Sequence, residues 1–224
     1  MGTDGMTGLM LSRATTSDEP ASMRTVSGRI RALGFAALLA FAASTASAQE
    51  PVERVRRALA SVRFVAYTPR GFDPNAAAGP VSAAQIRADL LLLKPAFDGL
   101  VTYSSAQAFD AVPSVAHELG FRAVVLGVWD PTSESELGLA IAAARAWPDT
   151  VIALALGNEG LFFARYDAAA LAHAFERVRR EAPGLAVTTT EPFSSYLDPL
   201  RAKEIPAQDF LLPVVQLKKK RISL

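Results

Sequence analysis

The sequence contains no cysteine and only two histidines in 224 residues. A chain without cysteine can form no disulfide framework, no thiolate nucleophile and no zinc–thiolate site. The histidines, His117 and His173, lie far apart in predicted helices, where an exposed position is the ordinary expectation. These absences lead us to expect neither a metal site nor a cofactor.

An excess of charge of one sign is also missing. The chain carries 23 basic and 22 acidic residues, which gives a formal net charge of +1. Nothing in that balance indicates nucleic acid or an anionic membrane surface as a partner. Half of the residues are hydrophobic, which excludes a disordered chain, and the length suffices for one sizeable domain.

The first 48 residues do not have the pattern of a folded domain. Residues 1–22 are polar and without periodicity, and we expect an over-extended N-terminus, with translation beginning at Met23. Residues 23–48 have the arginine-containing start, the apolar run over 32–43 and the cleavage sequence Ala46-Ser47-Ala48 of a secretory signal peptide.

The apolar run of this segment is short for a membrane span, although an N-terminal membrane anchor is the alternative. Cleavage would leave a mature protein that begins near Gln49 and has no stable membrane span. We therefore expect an exported protein, with the periplasm, the cell envelope and the external medium as candidate destinations.

From residue 49 onward, strand patterns and helix patterns alternate. Apolar runs predict six strands, over 63–67, 98–103, 122–129, 151–156, 185–190 and 209–216. Capping residues and helical periodicity predict helices over 52–61, 82–93, 105–119, 133–147, 167–182 and part of 192–203.

This alternation predicts an α/β protein with a parallel sheet and right-handed crossovers. A doubly wound sheet and a (β/α)8 TIM barrel are the two candidates. Neither nucleotide-binding glycine motif occurs, which disfavours the doubly wound sheet, and polar and aromatic residues gather at the strand ends, as in a barrel. A complete barrel takes about 250 residues. We therefore predict an incomplete barrel over 49–216, with about six βα units.

The fourth predicted strand runs directly into Gly157-Asn158-Glu159. In a barrel the carboxyl ends of the strands form the active-site face. Glu159 is therefore a candidate general acid for glycoside hydrolysis, and Asn158 a candidate hydrogen-bonding partner of a sugar hydroxyl. An ordinary loop charge or a carboxylate at a helix N-terminus is the alternative for Glu159.

Other strand ends carry residues suited to binding sugars. Tyr67, Tyr103 and Trp129 offer flat apolar faces with polar edges, although ordinary packing at strand ends is the alternative for each of them. Glu191 ends the fifth strand beside the fourth, so its side chain is a candidate substrate-binding or supporting carboxylate. A capping charge before Pro192 is the alternative.

The segment that ends in Gly157-Asn158-Glu159 resembles the Val-Gly-Asn-Glu segment of bacterial and other family 17 glycoside hydrolases, the β-1,3-glucanases. Further segments resemble that family's strands in the same order, at 64–67, 99–103, 124–129, 188–192 and 209–213. The resemblance implies a (β/α)8 barrel with the acid after strand four and the nucleophile after strand seven. It implies that Glu159 is the proton donor of a retaining enzyme whose partner is a β-glucan polysaccharide or oligosaccharide.

The sequence departs from the family at two places. Val101 stands where the family has the arginine of an Arg-x-Tyr pattern, and the basic run over 217–224 stands where an aromatic or histidine loop is usual. The nucleophile pattern of strand seven is not found. We expect a C-terminally truncated or frameshifted product with 217–224 out of frame; a basic tail for an anionic partner is the alternative.

The leading hypothesis is a glycoside hydrolase that acts on β-1,3-glucan by a retaining two-carboxylate mechanism. Because the nucleophile-bearing strand is not found, little or no activity is expected of this chain. A non-catalytic glucan-binding remnant, which would use Tyr67, Tyr103 and Trp129, is one alternative. A glucan-remodelling transglycosylase, in which a sugar rather than water attacks the intermediate, is the other.

Overall fold

The computed structural model describes residues 50–72 and 81–215. The predicted signal peptide and the basic run over 217–224 lie outside the described residues. Among the helices in the described part of the chain, none combines the length and the apolar character that a membrane span requires.

Five parallel strands form one sheet in the order in which they occur along the chain. They are β1 (Phe64–Tyr67), β2 (Gly99–Thr102), β3 (Ala123–Val128), β4 (Val151–Asn158) and β5 (Ala186–Thr190). Sequential parallel strands with helices between them are the arrangement of consecutive βα units in a barrel. The α/β fold class of a partial barrel is thereby confirmed.

Helices connect the strands at nearly the predicted positions. They are α1 (50–61), α2 (Ala83–Leu93), α3 (Val112–Glu118), α4 (Glu134–Ala146), α5 (Ala168–Glu181) and the short α6 (Phe193–Leu197). The side chains of Ser82, Ser133 and Asp167 accept backbone hydrogen bonds at the starts of α2, α4 and α5.

The helix predicted over 105–119 is divided into two pieces. A 3-10 turn covers Gln107–Phe109, and α3 starts afterwards with Pro113 in its first turn. Proline fits the first turn of a helix but cannot lie in a helix interior, because it lacks the N–H group of the i to i−4 hydrogen bond.

Two apolar layers cover the two faces of the sheet. The larger layer lies between the sheet and its helices and contains Leu126 of β3 and Phe175 of α5. The smaller layer contains Val125 of β3, Ala153 of β4 and Val55 of α1. Neighbouring residues of β3 thus belong to opposite layers, because side chains alternate along a strand.

The prediction of a sixth strand over 209–216 was wrong for the part that the structure describes. Residues 209–215 contain only an isolated parallel bridge, between Val214 and Pro192. The Val214 N–H donates to the Glu191 carbonyl at 2.9 Å, and its own carbonyl accepts from the Phe193 N–H at 2.9 Å. This bridge joins the segment to the residues that follow β5 without extending the sheet.

Side chains take the places that a sixth strand would fill along β5. The Val187 N–H donates to Asp209 Oδ2 at 2.7 Å, and the Thr189 N–H donates to Gln208 Oε1 at 3.3 Å. Pro213 has no N–H to contribute to a ladder. The Asp209 N–H in turn donates to the Val187 carbonyl at 2.9 Å, and the Phe210 carbonyl accepts from Thr188 Oγ1 at 2.6 Å. The segment therefore lies beside β5 through side-chain bonds and single backbone bonds, and forms no continuous ladder.

Asp89 of α2 anchors the segment that follows β1. Its side chain is 5% exposed and accepts from the Tyr67 hydroxyl at 3.1 Å and from Gln85 Nε2 at 2.9 Å. It also accepts from the Arg70 backbone N–H at 3.0 Å and from Arg70 Nε at 2.5 Å. Burial alone would raise the pKa of Asp89, but the bonds from Arg70 and Tyr67 outweigh burial and lower it.

Asp89→Asn is expected to reduce the free energy of unfolding by about 1–3 kcal/mol at pH 6, because an amide cannot accept all four bonds. A carboxyl group whose pKa is lowered by folding stabilises the folded state at pH values above its unfolded-state pKa. The difference in unfolding free energy between the variant and wild type should therefore shrink as the pH falls below about 3.8. Urea unfolding at several pH values measures it. Asp110→Asn, at an exposed acid, is the matched control and should cost less than about 0.5 kcal/mol. A difference that grows toward low pH would contradict this account.

Candidate active site

An irregularity in β4 shapes the carboxyl end of the strand. Ala155 pairs with Thr188 and Asn158 with Thr190, so β4 has two residues between its paired positions where β5 has one. The extra residue is a bulge, a feature that re-aims side chains beside active sites. Gly157 within it has a φ of +77°, a conformation that glycine adopts without a steric penalty.

Glu159 lies directly after this bulge and has an unusual backbone. Its φ is +55°, in the left-handed region that side chains other than glycine rarely adopt. Such a conformation costs of the order of 1–3 kcal/mol and persists only where the surroundings hold it. The Glu159 N–H donates to the Thr190 carbonyl at 2.6 Å, which fixes it against β5. Its side chain is half-buried.

The segment of residues 159–165, here called the β4 loop, closes on itself. The Phe163 N–H donates to the Glu159 carbonyl at 3.1 Å, and the Arg165 N–H to the Gly160 carbonyl at 2.9 Å. These bonds satisfy the backbone of the β4 loop locally. The left-handed Glu159 is therefore part of a compact, hydrogen-bonded turn.

Glu191, at the end of β5, braces the β4 loop from below. It is fully buried, and its two oxygens accept from the Leu161 N–H at 3.0 Å and the Phe162 N–H at 3.1 Å. Burial raises the pKa of Glu191, the two backbone bonds oppose that rise, and the charge of Glu159 adds to it. Both carboxylate oxygens are thus engaged within the protein.

Asn158 is held through its side chain and through its backbone carbonyl. Its Oδ1 lies 3.1 Å from Thr190 Oγ1, and its carbonyl accepts from Arg165 Nη2. Its side chain is half-buried, as that of Glu159 is. The Asn158 side chain and the Glu159 backbone are therefore both held in place at the end of β4.

A cleft of about 640 Å³ opens beside β2 and β3, at the same end of the sheet. The segments that follow β1, β2 and β3 line it, together with the first turn of α4. Tyr103 and Trp129, 41% and 43% exposed, lie in its wall. A volume of this size is typical of sites for small organic molecules.

Arg165 links this cleft to the β4 loop. Its guanidinium lies 4.2 Å from the centroid of the Trp129 ring, in a cation–π arrangement, while it also donates to the Asn158 carbonyl. One face of Trp129 is therefore occupied by protein. Arg165 was not among the predicted site residues, because no motif in the sequence marks it.

Glu136 of α4 was also missed. It is 6% exposed and accepts from the backbone N–H groups of Trp129 at 2.9 Å, Asp130 at 3.0 Å and Ser105 at 3.3 Å, and from Ser104 Oγ at 2.5 Å. It thereby joins two walls of the cleft. The Ser-x-x-Glu spacing from Ser133 was an available signal, because it marks a helix start with a carboxylate close to the preceding loop.

The structure brings most of the predicted site residues to one end of the sheet. Tyr103 and Trp129 share the cleft, Asn158, Glu159 and Glu191 cluster around the β4 loop, and Arg165 joins the two groups.

Tyr67 does not reach that surface, contrary to its selection as a sugar-binding residue. It is 4% exposed, lies in the core layer under the helices and donates its hydroxyl to Asp89. Within 50–72 and 81–215, no group of three or more His, Asp or Glu side chains is placed to hold a metal ion.

No protein-family model and no curated protein matches the sequence. Solved structures do match the fold. An endo-laminarinase from Formosa has a TM-score of 0.52 at 20% identity, over 67% of this chain and 49% of that one. An active-site mutant of the Rhizomucor miehei beta-1,3-glucanosyltransferase, in complex with laminaritriose, has a TM-score of 0.48 at 22% identity, over 64% and 54%.

The glycoside hydrolase family 17 beta-1,3-glucanosyltransferase from Rhizomucor miehei has a TM-score of 0.48 at 20% identity, over the same shares. The chain spans about half the length of the solved structures that it matches. At these identities the likeness to the Formosa structure establishes the fold alone, which agrees with the five consecutive βα units.

Replacing Glu191 with glutamine tests how its carboxyl group stabilises the β4 loop. A carboxyl group whose pKa is raised by folding stabilises the folded state at pH values below its unfolded-state pKa. That contribution is lost as the pH rises through the folded-state pKa. The advantage of wild type over Glu191→Gln in unfolding free energy should therefore decline as the pH rises from about 4.5. Urea unfolding across pH 4–8 measures the decline, with Glu176→Gln on the exposed face of α5 as matched control. An advantage that increases with pH would show that the carboxylate is stabilised in its charged form.

Proposed function

We propose that the chain forms part of a β-1,3-glucan-active glycoside hydrolase domain of the family 17 type, with Glu159 as the proton donor. The observation that carries this proposal is the fixed, left-handed Glu159 beside Asn158, at the carboxyl end of β4. The sequence resemblance and the fold likeness to an endo-laminarinase support it. The signal-peptide pattern of 23–48 adds the proposal that the domain acts outside the cytoplasm.

The proposed chemistry begins with a proton on the Glu159 carboxyl. Glu159 gives this proton to the glycosidic oxygen as the bond to the anomeric carbon breaks, and the leaving sugar departs as an alcohol. A second carboxylate, about 5 Å away in retaining enzymes, attacks the anomeric carbon and forms a glycosyl ester. Water then attacks that ester, and the Glu159 carboxylate accepts the proton of the water. Asn158 is suited to hydrogen-bonding a sugar hydroxyl nearby.

Glu191 is not suited to be this second carboxylate. It is fully buried, and both of its oxygens accept backbone N–H groups of the β4 loop. An attacking oxygen must be free to reach the anomeric carbon. We therefore assign Glu191 the role of holding Glu159 in place. Residues 50–72 and 81–215 would then supply the acid and the sugar-binding part of the site, with little or no hydrolysis of their own.

The cleft provides the binding surface in this proposal. Tyr103 and Trp129 are exposed aromatic side chains in its lining, and Ser133, Ser135 and Gln107 add hydrogen-bonding groups. Sugars present apolar ring faces and polar hydroxyls, which such a lining complements. The same observations favour glucan binding without catalysis as the second candidate function.

Trp129→Ala should weaken binding of laminaritriose by about tenfold, because it removes an exposed aromatic face from the cleft. Calorimetric or fluorescence titration of the purified chain measures the affinity. Trp147→Ala is the matched control, because Trp147 follows the opposite end of α4 and packs against His117. Equal losses in both variants, or no saturable binding by wild type, would remove the cleft from the proposal.

Glu159→Gln separates catalysis from binding. The substitution keeps the shape of the side chain and removes its transferable proton, so affinity for laminaritriose should stay within about threefold of wild type. Reducing-sugar release from laminarin should be at background in both proteins. Turnover by wild type that Glu159→Gln abolishes would confirm the acid and show that another carboxylate completes the site. Turnover that survives the substitution would remove Glu159 from the mechanism.

A further inference from the structure

We propose that Tyr166 is a positioning residue for Glu159. Its aromatic ring packs against the turn from Gly157 to Gly160 and holds that turn in its conformation. The proposal rests on the proposed function only in taking Glu159 to be the acid. The structural part concerns contacts around the β4 loop, and it can be measured without any substrate.

The first observation is the space around the two glycines of the turn. A Cβ added at Gly157 would lie 2.7 Å from Tyr166 Cζ and still closer to the hydroxyl oxygen. A Cβ added at Gly160 would overlap the same ring. The phenol thus occupies the volume that side chains at both positions would need. The two glycines flank Asn158 and Glu159, so the turn that carries the acid packs directly against this ring.

The second observation is that Tyr166 directly precedes a capped helix and belongs to the same core layer as that helix. Tyr166 precedes Asp167, whose side chain caps α5 by accepting the Ala170 N–H at 2.8 Å. A buried residue before the cap commonly packs with the fourth residue of the helix, here Leu171, which is fully buried in the same core layer. The position of Tyr166 therefore depends on that of α5, and the conformation of the turn depends on Tyr166.

The third observation concerns the hydroxyl. Tyr166 is 9% exposed, and no contact of its hydroxyl within the described part of the chain has the geometry of an ordinary hydrogen bond. Burial raises the pKa of Tyr166 and the charge of Glu191 adds to that rise, while the charge of Arg165 and the nearby Gly160 N–H oppose it. The net shift is upward, so the phenol stays protonated. A buried hydroxyl without a partner stabilises nothing. The ring carbons alone would still meet a Cβ at Gly157, at 2.7 Å, and at Gly160, so the turn is supported by the volume of the ring and needs no bond from the hydroxyl.

These three observations give Glu159 two supports of different kinds. Glu191 ties Leu161 and Phe162 through hydrogen bonds, and Tyr166 fills the concave side of the turn through shape. A residue in the left-handed region needs such surroundings to persist. Loss of the ring should therefore release Glu159 while leaving the centre of the sheet intact.

Amide hydrogen exchange on the full chain tests this. In Tyr166→Leu, exchange at Glu159 and Leu161 should become at least about tenfold faster relative to Val125 at the centre of the sheet. The side-chain carboxyl NMR signal of Glu159, assigned by its absence in Glu159→Gln, should move toward that of a mobile glutamate. Tyr166→Phe keeps the ring and should restore both readouts to wild type. Failure of the phenylalanine to restore them, or no local change with leucine, would overturn the proposal.

A double substitution tests whether the Tyr166 ring and Gly160 act through direct contact. Gly160→Ala should speed exchange at Glu159 strongly in wild type, but much less in the Tyr166→Ala background, where the ring that it would strike is gone. Gly184→Ala is the control, because a Cβ there meets no atom within 4 Å. Additive effects of the two substitutions would mean that ring and glycine do not act through each other. Absence of glucan binding by the chain would remove the proposed function and leave this exchange result standing.

Discussion

The candidate site depends on buried carboxylates that accept backbone N–H groups. Glu191 binds the Leu161 and Phe162 N–H groups of the β4 loop, and Glu136 binds those of Trp129 and Asp130. Removing such an acceptor leaves two or more part-buried N–H groups without a partner at once. The two acids thereby fix neighbouring segments at the carboxyl end of the sheet, the β4 loop with Glu159 and the segment after β3 with Trp129.

Much of the scaffold was predictable because its signals are local. Ser82, Ser133 and Asp167 each satisfy an N–H group within three residues, so the spacing of these caps is sufficient to locate three helices. The apolar run before Glu159 likewise places a strand whose end carries the acid. The bulge and the left-handed backbone there arise from pairing with β5, which a run of letters does not encode.

The errors have the same origin. The four residues of β1 are too few for alternation to assign a face, so Tyr67 was expected at the mouth although it packs under the helices. The apolar run at 209–216 has the composition of a strand, but Asp209 and Gln208 already satisfy β5 through their side chains. The positions of Arg165 and Tyr166 depend on where the β4 loop closes, which is a tertiary property.

The side-chain acceptors along β5 also have a consequence for association between molecules. An open strand edge with free N–H groups is a template on which another chain can add a strand, and it leads to aggregation. Asp209 and Gln208 occupy the Val187 and Thr189 N–H groups, so an incoming strand would have to displace both. This edge of the sheet is therefore protected against intermolecular pairing by two polar side chains that contribute no strand of their own.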